Sequence, residues 1–262
     1  EVSRLLDTLT LAPAPKRHVS LRDYQLELLS AVRAKFDLGS RSALAYLPTG
    51  GGKTRVAAAE VAMELGRGGR CLWLVNSLVL LEQTRRALLD LGFAEHEMSV
   101  LRDASGYVHR NDSVAPVQLA MVQSLQRPSA ACVEQLLRGL SLVVIDEAHA
   151  AYAPSYQKLI DQLEPTARLL GLTATPYRSH STERLSDVFT HLALGPSVST
   201  LIDRGVLVQP VIVGPPSSNQ IAAKLSTAAD RGRIIRMYRE HADGQRAIAF
   251  CRRVDESRQL AA

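Results

Sequence analysis

"LPTGGGKT" occupies Leu47 to Thr54, three consecutive glycines and then Lys53, directly after the apolar run from Ala43 to Leu47. Glycine packs nothing and costs backbone entropy, so a cluster of three needs a reason. A strand ending at Leu47 and a helix starting near Lys53 supply one. Between them, bare backbone N–H groups converge on an anion, and the helix N-terminus adds its own N–H groups and dipole. A Cβ would block that approach. At this spacing Lys53 reaches the β- and γ-phosphates of a nucleotide, and the Thr54 hydroxyl holds Mg2+. The strict phosphate-loop pattern puts a glycine where Leu47 stands. The form present here is the variant running from Pro48 through Thr49, Gly50, Gly51 and Gly52 to Lys53 and Thr54.

Such a site needs a carboxylate for the metal and an oriented water for hydrolysis. "LVVIDEAH", 142–149, offers both. Four apolar residues read as a central strand, with Asp146 at its C-terminal end, where ligands bind in open α/β sheets. Asp146 is the expected Mg2+ carboxylate, and Glu147 the expected general base. His149, three positions past Asp146, is placed to reach a neighbouring strand end. "GLTATPYR", 171–178, is the candidate neighbour: Thr173 and Thr175 flank Ala174 just past an apolar run. Small hydroxyl residues there are placed to bond the acidic loop and sense the γ-phosphate.

Around these motifs the chain alternates. Apolar runs predict strands at 43–47, 71–75, 117–122, 142–145 and 168–172, with a further short one near 94–98. Residues 71–75, 117–122 and 142–145 are continuous enough for strands buried on both faces. Helix-like spacing covers 21–37, 53–66, 79–91, 130–139 and 155–164. Strand and helix in alternation predict a parallel sheet covered on both faces. Beyond Pro176 the pattern predicts helices over 182–194 and 197–204, then extended chain from Val206 to Val213. "GPPSSN", 214–219, reads as a linker. A helix around 230–241, a strand "RAIAFC" at 246–251 and a helix start at 254–262 follow, and one strand with two helices closes no core.

Composition sets limits. The chain has 262 residues and a formal net charge of +5, with 26 arginines and 5 lysines. That excess suits a polyanionic partner without establishing one. Cys71, Cys132 and Cys251 are far apart, which excludes a disulfide framework or a zinc site. No apolar run is long enough to span a membrane and no secretion signal is evident. A cytoplasmic or nucleoid-associated location is the default, nuclear in a eukaryote. Residues 101–116, with Tyr107, His109 and Arg110, read as a long polar loop.

Taken together, the motifs resemble those of superfamily 2 helicases and translocases of the DEAH spelling. Tyr24-Gln25 in "LRDYQ" resembles the adenine-recognition element, with Gln25 reading the base. "LPTGGGKT" resembles the first motif, Asp146 to His149 the second and "GLTATPYR" the third. "LVNSLVLLEQT", 74–84, and "MVQSL", 121–125, resemble the segments that touch the nucleic-acid backbone. The resemblance thus nominates Asn76, Ser77, Gln83, Gln123, Ser124 and Arg127 as backbone contacts. "RAIAFC" with "RRVDES" resembles the opening of the second motor domain. "LIDRGVLVQP", 201–210, resembles the approach to that domain in the DNA-repair branch, which includes RadD-like and XPB-like translocases. Thr173-Ala174-Thr175, rather than the serine-alanine-threonine usual in RNA-processing relatives, favours DNA over RNA.

The resemblance implies an α/β, RecA-like P-loop fold using ATP and Mg2+. It implies an arm at 1–17, a first RecA-like domain at 18–205, a linker at 206–220 and the truncated start of a second RecA-like domain at 221–262. Lys53, Asp146 and Glu147 become the expected catalytic residues, and His149, Thr173 and Thr175 the expected coupling residues. The arginine that the family supplies from its second domain is not found here, so this segment alone is expected to hydrolyse ATP poorly.

Overall fold

The computed structural model describes residues 19–101, 115–126, 130–175, 185–210 and 228–245, with Val254 and Arg258. The chain divides into two units, Glu1–Val208 and Gln209–Ala262. In the second unit the described element is one helix, Ala228–Ala242, after which the Tyr238 hydroxyl donates to the Gln245 carbonyl at 2.8 Å. The arm at 1–17, the linker at 214–219 and the expected strand at 246–251 lie outside the described residues.

The first unit is built on seven parallel strands: β1 (Ser42–Tyr46), β2 (Arg70–Val75), β3 (Met98–Leu101), β4 (Val117–Met121), β5 (Leu140–Ile145), β6 (Arg168–Thr173) and β7 (His191–Leu194). Their order across the sheet is β3-β4-β2-β5-β6-β1-β7. Every pairing is parallel, so each connection is a crossover and both faces must be covered. Helices α1 (Asp23–Asp37), α2 (Lys53–Gly66), α3 (Leu78–Asp90) and α6 (Val198–Asp203) enclose one apolar cluster; α4 (Ala130–Leu137) and α5 (Pro154–Ile160) enclose the other. Strand alternation divides the core between them. Cys71 and Trp73 of β2 face the first cluster, and Leu72 and Leu74 face the second. All four are fully buried, which is why β2 reads as an unbroken apolar run.

The parallel sheet with helices on both faces that the alternation predicts is the one observed, in the RecA-like arrangement that the resemblance implies. Two elements are different. The short strand expected near 94–98 begins only at Met98, as β3, because Glu95–Glu97 is a 3-10 turn closed by the Ala94 N–H donating to Glu97 Oε2 at 2.8 Å. Residues 182–194 are expected to be helical, yet Leu185–Asp187 is a short 3-10 turn and His191–Leu194 is edge strand β7. The reason is tertiary. The outer edge of β1 needs hydrogen-bond partners, and β7 pairs it from Ala43↔His191 to Tyr46↔Leu194. Thr190 pins the start, its N–H donating to Ser42 Oγ and its hydroxyl to the Ser42 carbonyl, both at 3.0 Å. Gly195 ends it, its N–H donating to the Tyr46 carbonyl at 2.9 Å.

Candidate functional site

Parallel strands send their C-terminal ends to one edge of the sheet. In the order β5-β6-β1, that edge brings together three loops. The glycine loop follows β1, the acidic loop follows β5, and the Thr173 segment ends β6 between them.

The glycine loop is backbone-driven. Gly50 has φ +80° and Gly52, the residue before α2, φ +90°, values that L side chains avoid. Space closes the same positions. A Cβ on Gly50 would lie 2.9 Å from Leu207 Cδ2, one on Gly51 would lie 2.7 Å from Leu47 Cγ, and one on Gly52 would strike the Gln25 amide. Lys53 and Thr54 open α2 and are half-buried, and Thr49 is exposed. The first N–H groups of that helix have no intrahelical acceptor.

Tyr24 and Gln25, in the first turn of α1, are buried at 4% and 3% exposure. Both bind the glycine loop: the Tyr24 hydroxyl and Gln25 Nε2 each donate to the Gly51 carbonyl at 2.9 Å. Gln25 Oε1 accepts from the Arg22 N–H at 3.0 Å. These bonds span 27 and 26 residues of sequence, and no local pattern announces them.

In the acidic loop, Asp146 is held by its own backbone: its N–H donates to the Leu74 carbonyl and Oδ1 accepts from the Glu147 N–H, both at 2.9 Å. Burial pushes its carboxyl above the usual aspartate range. The Glu147 N–H bond opposes this, the Glu147 charge adds to it, and the Lys53 charge opposes it more weakly. Glu147 adopts φ +49°, the one positive φ outside glycine among the described residues. His149 Nδ1 lies 3.2 Å from Glu147 Oε2, without the alignment of a hydrogen bond.

The third segment is closed on itself. Thr173 Oγ1 donates to the Thr175 carbonyl at 3.1 Å and accepts the Thr175 N–H at 3.0 Å. Thr173 thus bonds through its hydroxyl within its own turn and not to the acidic loop. Its carbonyl accepts from the Leu47 N–H at 3.1 Å, which ties β6 to the start of the glycine loop. Contact with the acidic loop is made by packing instead: a Cβ on Gly171 would lie 2.9 Å from Ala148 Cβ.

The residues nominated for the nucleic-acid backbone are dispersed. Asn76, Gln83 and Gln123 are exposed. Ser77 caps α3, its hydroxyl oxygen accepting from the Leu80 N–H at 3.3 Å. Ser124 is buried at 3% exposure. Arg127, Tyr107, His109, Arg110 and the Pro176–Arg178 stretch lie outside the described residues.

The fit to Mg2+ follows from the donor set. Among the described residues no cluster of three or more His, Cys, Asp or Glu side chains could cage a metal. One half-buried carboxylate and one hydroxyl, Asp146 and Thr54, suit an ion that takes its other ligands from phosphates and water.

A family model described as "Type III restriction enzyme, res subunit" (ResIII) matches residues 18–178, and the chain belongs to that family, within helicase/ATPase superfamily 2. The chain is 26% identical over 227 residues to the 51.5 kDa protein of Lactococcus phage (isolate 7-9), covering 82% of this chain and 44% of that one. It is 31% identical over 175 residues to DNA 3'-5' helicase XPB of Mycobacterium tuberculosis (strain ATCC 25618 / H37Rv), covering 65% of this chain and 29% of that one. The chain therefore spans less than half the length of either relative. The same fold occurs in the UvsW helicase of bacteriophage T4, with TM-score 0.56 at 18% identity over 73% of this chain and 66% of that one. It occurs also in the Type ISP restriction-modification enzyme LlaGI, solved with a DNA substrate mimic, with TM-score 0.55 at 20% identity over 71% of this chain and 21% of that one. Among the described residues no helix is long and apolar enough to cross a membrane.

Proposed function

We propose that this chain carries the nucleotide-binding part of an ATP-driven motor that moves on nucleic acid, DNA in preference to RNA. The observation that carries the reading is the convergence of the glycine loop and the Asp146-Glu147 pair at the C-terminal edge of one parallel sheet, with Lys53 in electrostatic reach of Asp146. The N–H groups of the loop and of the first turn of α2 bind the phosphates. Lys53 supplies the fixed positive charge. Thr54 and Asp146 are the residues to hold Mg2+, which when bound neutralises charge on the phosphates. Glu147 orients the attacking water and takes its proton. Thr173, between the two loops, is the coupling element toward Thr175 and His149. Residues 221–262 are read as the start of a second RecA-like domain, and Asn76, Gln83 and Gln123 as exposed contacts to the sugar-phosphate backbone. The DNA preference draws on Thr173-Ala174-Thr175 and on DNA in the names of similar proteins.

The test is steady-state ATP hydrolysis with single-stranded DNA, duplex DNA or RNA, beside Glu147→Gln. Stimulation by DNA that the variant loses is expected. Turnover indifferent to every nucleic acid would remove the motor reading and leave the nucleotide site.

The family match favours one second reading, a restriction-type motor that moves along duplex DNA without separating strands. Displacement of a third strand from a triplex without release of a labelled strand from a duplex distinguishes it.

A further inference from the structure

The chain leaves the first unit past the glycine loop, and Leu207 is where the two touch. We infer that Leu207 is a positioning residue for that loop: seating of the strap at 205–208 and binding of phosphates by the loop favour each other through it. This rests on the nucleotide-binding reading above and adds a residue that sets the affinity of that site without touching the nucleotide.

Backbone geometry brings the strap there. Ser197 caps α6, its hydroxyl oxygen accepting the Thr200 N–H at 3.2 Å, and Leu201 has no exposure. Gly205, at φ +65°, turns the chain after the helix. The N–H groups of Val206 and Leu207 then both donate to the Leu201 carbonyl, at 2.8 and 3.1 Å. Their side chains pack half-buried on the first apolar cluster. Val208 follows at 90% exposure, and Gln209 opens the second unit. On the loop side, the Gly51 N–H donates to the Pro48 carbonyl at 2.9 Å, which makes Thr49 and Gly50 the middle of a turn. Glycine takes either sign of φ at little cost, and Gly50 is exposed, so local forces alone do not hold it at φ +80°. Leu207 Cδ2 lies against it, 2.9 Å from where a Cβ would stand. The contact uses the bare face that Gly50 presents at this φ. A turn that changed φ would withdraw the face, and a strap that lifted would free the turn. N–H groups drawn to one anion hold the same turn from within. Anion and Leu207 thus select one conformation, and each strengthens the other by the same factor.

The test compares the 262-residue chain with its Leu207→Ala variant. Kd values for ATP and for inorganic tripolyphosphate, each with Mg2+, are measured by calorimetry, beside a thermal melt without ligand. Hydrogen exchange of the 206–207 amides, with and without saturating tripolyphosphate, reads the opening of the strap. Both Kd values are expected to rise by one common factor, about fivefold or more, because the contact involves no base. In the wild-type chain saturating tripolyphosphate should slow strap exchange by that same factor, an arm that needs no variant. In the alanine variant the slowing should be largely lost. Leu207→Met, whose side chain is long enough to reach Gly50, should restore most of both effects. Unchanged or tighter binding in the alanine variant overturns the inference, whatever the melt does. So does strap exchange indifferent to tripolyphosphate, a weakening confined to ATP, or a disagreement between the two factors. Wild-type chain that bound neither ligand would instead overturn the nucleotide reading, and the inference with it.

Discussion

Glu147 Oε2 stands 3.2 Å from His149 Nδ1, and Glu147 reaches that position from a left-handed backbone with φ 49° and ψ 54°. For an L residue this conformation costs roughly 1–2 kcal/mol, which the fold tolerates at the end of its central strand.

Glu147→Gln is expected to keep nucleotide affinity and lower turnover by about 10²-fold or more. Single-turnover hydrolysis beside equilibrium binding checks it, and near-normal turnover would remove Glu147 as the base. Glu147→Gly should also lose turnover but melt slightly higher. It relieves the left-handed strain and gives back part of that through roughly 0.5–1 kcal/mol of backbone entropy. A lower melt would mean that the Glu147 side chain contributes more than its backbone costs.

Stability should fall with rising pH through Glu60. This α2 residue has no exposure, and neither carboxyl oxygen has a hydrogen-bond partner. Arg33 and Arg168 stand at 3.8 and 3.9 Å, with Glu64 and Arg67 beyond. Burial raises its pKa above the ordinary 4.5 despite Arg33 and Arg168. A raised folded-state pKa favours the protonated form. Its contribution is full below pH 4.5 and is lost as pH climbs through the raised value. Arg33 and Arg168 reach solvent, and Arg168 keeps Glu64 and the Phe36 ring, 5.1 Å from its guanidinium to the ring centre. Glu60→Gln should therefore match or exceed wild type in urea melts at pH 7.5 and lose that advantage toward pH 4.5. A variant weaker at pH 7.5 than at pH 5, relative to wild type, would refute this.

Gly171 lets two neighbours in. A Cβ there would lie 2.5 Å from Phe189 Cζ and 2.9 Å from Ala148 Cβ. Gly171→Ala should cost about 1–3 kcal/mol by overpacking and displace the acidic loop, lowering turnover as well. Pairing it with Phe189→Leu should restore part of the stability, and strict additivity in the double mutant would show that the contact does not matter.

Tyr156 carries a polar group it does not use. Its ring is buried at 3% exposure, and its hydroxyl has no hydrogen-bond partner among the described residues. Burial, and then the Asp146 charge, push its pKa up to about 12. Tyr156→Phe should be neutral or stabilising by up to about 1 kcal/mol. The raised value contributes stability that is present below pH 10 and lost as pH rises toward 12. The phenylalanine variant should thus match the wild-type pH slope at neutrality and diverge from it as pH rises from 10 toward 12. Destabilisation by more than about 1 kcal/mol would reveal a partner for the hydroxyl.

Helix α2 was legible to its ends, 53–66, because glycine stands immediately before it and its alanine and valine face is continuous. The strands that were legible are those buried on both faces, where composition alone carries the signal. Strand β7 was not, because four residues, His191 to Leu194, have no pattern of their own and become a strand only by pairing with β1. The site divides in the same way. Lys53, Thr54, Asp146 and Glu147 sit in contiguous motifs. The grip of Tyr24 and Gln25 on Gly51, the Gly50–Leu207 contact and the left-handed Glu147 depend on distant chain or on backbone geometry that residue types do not encode.

The pairing of β1 also governs when the glycine loop comes into being. Its strand, Ser42–Tyr46, bonds to β6 and β7, at 168–173 and 191–194. Roughly 150 residues must leave the ribosome before β1 is flanked on both sides, some 8–30 seconds at ordinary elongation rates. Through most of that interval an apolar strand and three glycines wait unpaired, so a part of the site that is translated early is among the last to take shape.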